Sequence, residues 1–214
     1  MNKERNTMKV NDRHVSFYYE SDNDYGKIEI DPKKTALLVI DMQHVFITRP
    51  KLVNPTPAEL ANAARWEQFY QAIDNTVVPN NKRIIEYFRS HSMEVCFAKI
   101  QCLKKNGADR SLDQKATGYN ELLIAPGDPL GDIVPELTPI EDEIVVTKTT
   151  DSALTGTSLR LMLHNMGIDT VVVTGVLTDQ CVSGTVRSLA DESFNVWLIE
   201  DGCRASTAQI QANE

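Results

Sequence analysis

Five short apolar runs without polar alternation constrain the fold most strongly. The first, Thr35–Ile40, stops abruptly at Asp41. Strands of this kind are covered on both faces, as they are in a parallel sheet between two layers of helices. The remaining runs cover 95–100, 143–147, 170–174 and 196–199. The pattern therefore predicts a parallel sheet of five strands.

Residues at helical spacing separate these runs. Apolar side chains recur over 58–90, where Pro79 must break or kink the helix, over 154–166, which ends before Gly167, and over 179–193. Strands alternating with helices form right-handed crossovers around one sheet. We predict an α/β fold, a three-layer α/β/α sandwich with a central parallel sheet, doubly wound in the Rossmann manner.

The two polar segments stand apart from this pattern. Residues 1–34 carry no helical period, and we interpret them as an extended arm or a short hairpin before a single domain over 35–214. The stretch 101–139 is polar and punctuated by Gly and Pro. Connections of that length are usually functional loops, so we expect a lid or a partner-facing insertion there.

Charge and cysteine content exclude several classes of protein. The 214 residues carry 22 Lys and Arg against 30 Asp and Glu, a net charge of −8, which argues against a nucleic-acid partner. No apolar run is long enough to span a membrane, and the first residues lack the apolar core of a signal peptide. Four cysteines are too few for a disulfide scaffold. We therefore expect a cytoplasmic protein with reduced thiols, while the charge itself names no partner.

Three chemically distinctive residues fall at the predicted carboxyl edge of the sheet, where ligands of open parallel sheets bind. Asp41 follows the first run, Lys148 follows the third, and Cys181 opens the helix after the fourth. Each has a simpler interpretation. Asp41 can be a helix cap, Lys148 a solvated lysine at the end of a strand, and Cys181 a small core residue.

The combination of the three favours a nucleophilic site. A thiol at a helix N-terminus and beside an ammonium is expected to have a lowered pKa. A carboxylate within reach can accept the thiol proton and return it to a leaving amine. Backbone N–H groups at the start of such a helix can also stabilise an oxyanion.

At this point the chain resembles a known family, the isochorismatase-like cysteine hydrolases. This family includes nicotinamidases, N-carbamoylsarcosine amidase, ureidoacrylate amidohydrolases and biuret hydrolases. The matching segments are LLVIDMQ at 37–43, KTTDSALTGT at 148–157 and VTGVLTDQCV at 173–182, followed by the strand and turn at 196–205. Three segments in family order are a specific signal.

The resemblance implies a catalytic triad: Cys181 as nucleophile, Asp41 as general base and acid, and Lys148 as its electrostatic partner. It implies a cis peptide between Val176 and Leu177, which turns the Leu177 amide toward the oxyanion beside the Cys181 amide. By position, three further residues are expected near the substrate: Gln43, Val176 and Leu154. The implied reaction is hydrolysis of a C–N bond through a thioester, with release of ammonia and without a cofactor.

Two departures from the family narrow this expectation. The stretch 98–105 lacks the histidine through which nicotinamidases bind a metal, and the four histidines are scattered, so no metal is expected. A ureido or carbamoyl substrate is then favoured over nicotinamide or isochorismate. The family usually continues past 201–205 with another helix and strand, so we expect either a truncated chain or a sheet edge that a homo-oligomer covers.

Several alternatives remain open at this stage. His44 can serve the thiol in a Cys–His hydrolase, Cys181 can be a redox-responsive thiol with Cys203 nearby, and the chain can be a catalytically silent binding or scaffold member of the fold. The basic residues of the polar stretch, Lys99, Lys104, Lys105 and Arg110, are interpreted as a solvated face, with binding of a substrate carboxylate as the alternative.

Overall fold

The computed structural model describes residues 30–116 and 123–214, and the predicted arm lies outside them as far as residue 29. Five strands form one sheet. They are β1 (Thr35–Ile40), β2 (Glu94–Ile100), β3 (Ile144–Lys148), β4 (Thr170–Val176) and β5 (Asn195–Arg204). All five predicted runs are strands, and β5 extends well beyond its apolar run.

The sheet is parallel throughout, in the order β3-β2-β1-β4-β5. The chain therefore winds outward from β1 in one direction to β3 and then crosses back to continue from β4 on the other side. The point where the order reverses lies between β1 and β4, and ligands of such sheets bind outside the strand ends at this switch point.

Seven helices flank the sheet within the described part of the chain. They are α1 (His44–Ile47), α2 (Pro57–Ala72), α3 (Val78–Ser90), α4 (Leu112–Lys115), α5 (Leu159–Asn165), α6 (Ser183–Asp191) and α7 (Ala208–Asn213). Two π-helical turns, Ile73–Val77 and Thr178–Val182, precede α3 and α6. Short 3-10 turns occupy Pro129–Gly131 and Pro135–Leu137.

Both faces of β1 are buried, which explains its unbroken apolar sequence. Ala36, Leu38 and Ile40 belong to a core cluster that contains Leu159 and Leu163 of α5 and Leu189 of α6. Since side chains alternate along a strand, Leu37 and Val39 face the opposite layer, where α3 contacts β1 and β2. The three-layer α/β/α prediction is confirmed.

The helices begin and end where local chemistry dictates. Pro79 is predicted to break or kink the helix, but helical backbone continues from α2 through the π turn Ile73–Val77 into α3, so no break occurs. The π turn directly before Pro79 changes the hydrogen-bond pattern where the proline lacks its N–H. Gly167 ends the α5 segment at φ +73°. The predicted helix start at Leu154 is wrong, because 154–158 forms turns and α5 begins only at Leu159.

Candidate active site

Asp41 lies at the switch point, directly after β1. Its φ of +51° is in the left-handed region that few non-glycine residues adopt. Its N–H donates to the Ala98 carbonyl of β2 at 2.9 Å, which fixes the turn out of the strand. The neighbouring strand leaves little room, because a Cβ on Gly175, at φ +124°, would lie 2.0 Å from the Ile40 carbonyl oxygen. Only glycine fits there.

Lys148 ends β3, two strands away, and its long side chain reaches Asp41. The Lys148 Nζ lies 2.7 Å from Asp41 Oδ2, and the exposed fractions of the two side chains are 0% and 1%. The ammonium also donates to the Thr150 carbonyl at 3.2 Å. The pair is therefore a buried ion pair whose partners come from different strand ends.

Cys181 completes the cluster from the π turn after β4. The Lys148 ammonium donates to its Sγ at 3.2 Å. The turn is held by the Leu177 carbonyl, which accepts from the N–H groups of Gln180 and Val182. Thr185 Oγ1 donates to the Cys181 carbonyl at 2.7 Å. The structure thus brings together the three residues that the sequence singled out, while their catalytic roles stay predictions.

The protonation of the ion pair follows from burial and contact. Burial raises the pKa of the Asp41 carboxyl, and the nearby Lys148 ammonium opposes that rise only in part. Burial acts to lower the pKa of Lys148, but Asp41 and Cys181 together raise it above its ordinary value. The lysine is therefore held as an ammonium.

The expected low pKa of the Cys181 thiol is contradicted. Burial raises the pKa of Cys181 well above its ordinary value, and the negative charge of Asp41 adds to the effect. Lys148 favours the thiolate, but Asp41 beside it offsets that charge. The raised pKa favours the neutral thiol as the resting form of Cys181.

A cavity of about 300 Å³ opens onto Cys181. Part of its lining is apolar and aromatic: Val45, Phe46, Trp66 and Tyr70. The polar part of its lining includes Arg110, Gln114 and Asp151. Trp66 and Tyr70 are both on α2, one helical turn apart, and their rings lie 6.5 Å from each other. The size suits a small organic substrate.

Three predicted substrate-binding residues lie outside this cavity. Gln43 is fully buried, donates to the carbonyls of Ile100 and Gly131 at 3.0 and 2.8 Å, and accepts from the Ile100 N–H at 2.8 Å. Its amide therefore ties β2 to a loop. Val176 has an exposed fraction of 0%, and Leu154 packs against the core cluster. All three side chains pack or hydrogen-bond within the fold, and a part in substrate binding stays a prediction.

The two residues assigned to the oxyanion hole, Leu177 and Cys181, do line the cavity. The peptide bond between Val176 and Leu177 is cis. Their amides as oxyanion donors stay a prediction.

The polar lining was largely missed by sequence reasoning. The sequence predicts a solvated face for Arg110, but its exposed fraction is 2%, and that of Gln114 is 1%. Lys104 and Lys105 are exposed as expected. Arg110 lies in a bend before Ser111, the N-cap of α4, and Gln114 lies in α4, so no helical period in the sequence pairs the two residues.

His44 does not join the site. Its Nδ1 pairs with Thr48 Oγ1 at 3.0 Å, and the residue is absent from the lining of the cavity. The Cys–His alternative therefore finds no geometric support. All four cysteines, Cys96, Cys102, Cys181 and Cys203, are free thiols.

Within the described residues, metal-ion and membrane-spanning features are both absent. Across 30–116 and 123–214, no cluster of three His, Cys, Asp or Glu side chains is arranged to hold a metal ion. No helix in those ranges has the length and apolar character that crossing a membrane requires.

The fold and this cluster identify a class of protein, an α/β sandwich with a buried aspartate, lysine and cysteine at its switch point. The Isochorismatase domain model matches residues 35–214, and the chain belongs to the isochorismatase family. It is an isochorismatase-family hydrolase.

Two curated relatives indicate the range of the family. An uncharacterised isochorismatase family protein of Bacillus subtilis is 29% identical over 177 residues, which cover 81% of this chain and 79% of the relative. The ureidoacrylate amidohydrolase RutB of Serratia proteamaculans is 27% identical over 173 residues, 75% of this chain and 65% of that protein.

Two solved structures share the fold. A cysteine hydrolase from Pseudomonas syringae superposes with a TM-score of 0.65 at 25% identity, covering 82% of this chain and 75% of that one. The N-carbamoylsarcosine amidase of Thermoplasma acidophilum gives a TM-score of 0.63 at 26% identity, covering 84% and 88%.

Proposed function

We propose that the protein is a cysteine-dependent amidohydrolase that cleaves the C–N bond of a small amide, ureido or carbamoyl compound and releases ammonia. One observation carries this proposal: the Cys181 sulfur, 3.2 Å from the Lys148 ammonium, opens onto a small cavity while the Asp41 carboxylate is buried beside it. A nucleophile, a base and a fixed cation are the parts that acyl transfer requires.

The first half of the reaction acylates the cysteine. Cys181 attacks the substrate carbonyl as its proton passes to Asp41, and the carbonyl oxygen takes the negative charge, with the Leu177 and Cys181 amides as its donors. Asp41 then gives the proton to the nitrogen, the C–N bond breaks, and ammonia leaves. The product of this half is a thioester on Cys181.

The second half restores the thiol. Asp41, again a carboxylate, takes a proton from a water molecule that attacks the thioester carbonyl. The carbon–sulfur bond breaks, the sulfur regains the proton from Asp41, and the acid product leaves. Lys148 stays an ammonium throughout and stabilises each anionic state of its two neighbours.

A ureido or carbamoyl substrate is favoured within this class. Two of the similar proteins, the ureidoacrylate amidohydrolase RutB and the N-carbamoylsarcosine amidase, are named for C–N substrates of that kind. The polar lining formed by Arg110, Gln114 and Asp151 offers donors and acceptors that a ureido group can match.

The test is ammonia release from a panel of five compounds: nicotinamide, N-carbamoylglycine, ureidoacrylate, biuret and maleamate. Release by the wild type that disappears in Cys181→Ala supports the proposal, and the responding compound identifies the substrate branch. A chelator is expected to leave the rate unchanged. Release that persists in Cys181→Ala, or silence across the panel, contradicts the proposal.

A further inference from the structure

A second carboxylate contacts the nucleophilic sulfur from the cavity side. Cys181 Sγ donates to Asp151 Oδ1 at 3.6 Å. Asp41 is 1% exposed and lines neither of the two cavities at this edge of the sheet, whereas Asp151 lines both the substrate cavity and a polar cavity of about 450 Å³ next to it. Asp151 therefore faces a bound substrate from the cavity side, whereas Asp41 can reach the reacting atoms only from the buried side of the sulfur.

A directional chain of hydrogen bonds holds Asp151 in place. Arg110 carries only donors, and its Nε donates to Gln114 Oε1 at 3.0 Å. A second guanidinium nitrogen donates to the same oxygen. The Gln114 amide is thereby fixed with its nitrogen toward Asp151, and Nε2 donates to Asp151 Oδ1 at 2.5 Å. Asp151 is thus anchored through one oxygen and acts as an acceptor.

Because Asp151 contacts the sulfur, its position determines which atoms of a bound substrate its carboxylate can contact. A carbonyl carbon in position for attack lies about 3–3.5 Å from the nucleophile. The nitrogen of the scissile amide is one bond beyond that carbon, so it lies within reach of a carboxylate that itself contacts the sulfur. An ester oxygen in the same place has no hydrogen to donate and would face the lone pairs of Asp151.

We propose that Asp151 accepts N–H hydrogen bonds from the nitrogen of the scissile amide or ureide, and that it selects primary amides and ureides over esters with the same acyl group. The inference deepens the proposed function and rests on it for the identity of the site. Asp41 still carries out the proton transfers, and Asp151 orients the leaving group.

The test uses alkylation of Cys181, which requires no turnover and no known substrate. Iodoacetamide carries an amide N–H₂ two bonds from its reacting CH₂ carbon, and methyl iodoacetate carries an ester oxygen in the same place. With either reagent the sulfur bonds to the CH₂ carbon, the carbon–iodine bond breaks, iodide leaves, and the thiol proton is lost to the buffer. Peptide mass spectrometry measures both rates at Cys181 alone.

The expected result is a change in the ratio of the two rates. In the wild type the amide-to-ester ratio exceeds that of free N-acetylcysteine by about tenfold or more, as expected for a hydrogen bond to a charged acceptor. Asp151→Asn keeps an oxygen for Gln114, places a donor beside it, and brings the ratio down to that of N-acetylcysteine. Asp113→Asn, a carboxylate of the neighbouring cavity that is exposed, leaves the ratio unchanged.

A wild-type ratio equal to that of N-acetylcysteine would overturn the inference, as would an Asp151→Asn ratio equal to the wild type. Asp151→Ser serves as a second variant, with circular dichroism as the check on folding. A turnover assay separates this inference from the proposed function. Loss of maleamate hydrolysis in Asp151→Asn with monomethyl maleate hydrolysis retained supports the role of Asp151, whereas silence of the wild type toward both contradicts only the amidohydrolase assignment.

Discussion

The two carboxylates on either side of the Cys181 sulfur differ in their burial and in their partners. On the buried side, Asp41 and Lys148 form an ion pair at 2.7 Å with almost no exposed surface. On the cavity side, Asp151 is partly exposed and is linked to buried Arg110 through the neutral amide of Gln114. Both sides present a carboxylate to the same sulfur, yet their surroundings differ.

This difference indicates a division of labour. A buried carboxylate beside a fixed ammonium has its negative charge balanced by that ammonium and not by water. Such a carboxylate suits proton transfer. A carboxylate on a cavity wall can exchange partners when a ligand enters and suits recognition. The predictions below separate the two sides, starting with the largest expected effect.

Removing the Cys181 sulfur tests the nucleophile that lies between the two carboxylates. Cys181→Ala is expected to lower kcat by at least about 10³-fold, because every later step needs the thioester. Ammonia release measures the rate, and circular dichroism should stay unchanged, since the substitution removes one atom from a preformed turn. Asp113→Asn is the control and should retain wild-type turnover. A Cys181→Ala rate within a few-fold of the wild type would contradict the assignment.

Breaking the buried pair tests its contribution to folding. Lys148→Met leaves the Asp41 carboxylate buried without its cation and is expected to lower the free energy of unfolding by about 3–5 kcal/mol. Urea denaturation measures the change. Arg187→Ala removes an exposed partner of Glu214 and should cost less than about 1 kcal/mol.

The double variant Asp41→Leu with Lys148→Met tests whether the unpaired charge of Asp41 causes that loss of stability. Because it removes both charges, it should recover much of the stability that Lys148→Met loses, although it stays inactive. Equal instability of the single and double variants would show that the loss arises from packing and not from an unpaired charge.

The pH dependence tests the protonation state of the buried side. Since burial raises the pKa of Asp41 above its ordinary value of 3.8, the base is lost as pH falls through that raised pKa. The acid limb of kcat/KM should therefore lie above the range of an ordinary aspartate. The alkylation rate of Cys181 should keep rising with pH beyond 9, because the pKa of its thiol is raised. An alkylation rate that levels off below pH 8 would contradict the resting thiol.

The smallest expected effect concerns Gln114, which holds Asp151 in place on the cavity side. Gln114→Leu removes the group that anchors Asp151 but leaves the carboxylate itself, so the amide-to-ester alkylation ratio should fall only roughly two- to fivefold. The unfolding free energy and the pH profile serve as controls, and both should follow the wild type apart from a small loss of stability. A larger loss than in Asp151→Asn would mean that Gln114 contacts the ligand itself.

Much of the fold could be predicted from the sequence because its strands are buried on both faces. The unbroken run at Thr35–Ile40 and the abrupt change at Asp41 depend only on local pattern. The same rule placed Lys148 and Cys181 at the edge of the sheet, and the structure brings both to Asp41. The C-terminal half of β5 was missed, since Glu200 and Asp201 interrupt its apolar pattern.

The cavity side could not be predicted in the same way. Gln114 lies in a polar segment and contacts Asp151, which is 37 positions further along the chain, while Arg110 is linked to Asp151 through Gln114. The predicted direction of the Cys181 pKa shift was wrong for a related reason. It depends on how closely Asp41 offsets the Lys148 charge and on how deeply the thiol is buried, neither of which appears in a sequence.

The most direct test of the account is to trap the acyl group on the sulfur. The wild type is mixed with the panel compound that releases ammonia, quenched in acid during steady-state turnover, digested and examined by mass spectrometry. The account predicts the acyl group of the substrate on the peptide that contains Cys181, with Cys96, Cys102 and Cys203 unmodified. Sustained ammonia release with Cys181 unmodified at every time point, and with Cys181→Ala fully active, would contradict it.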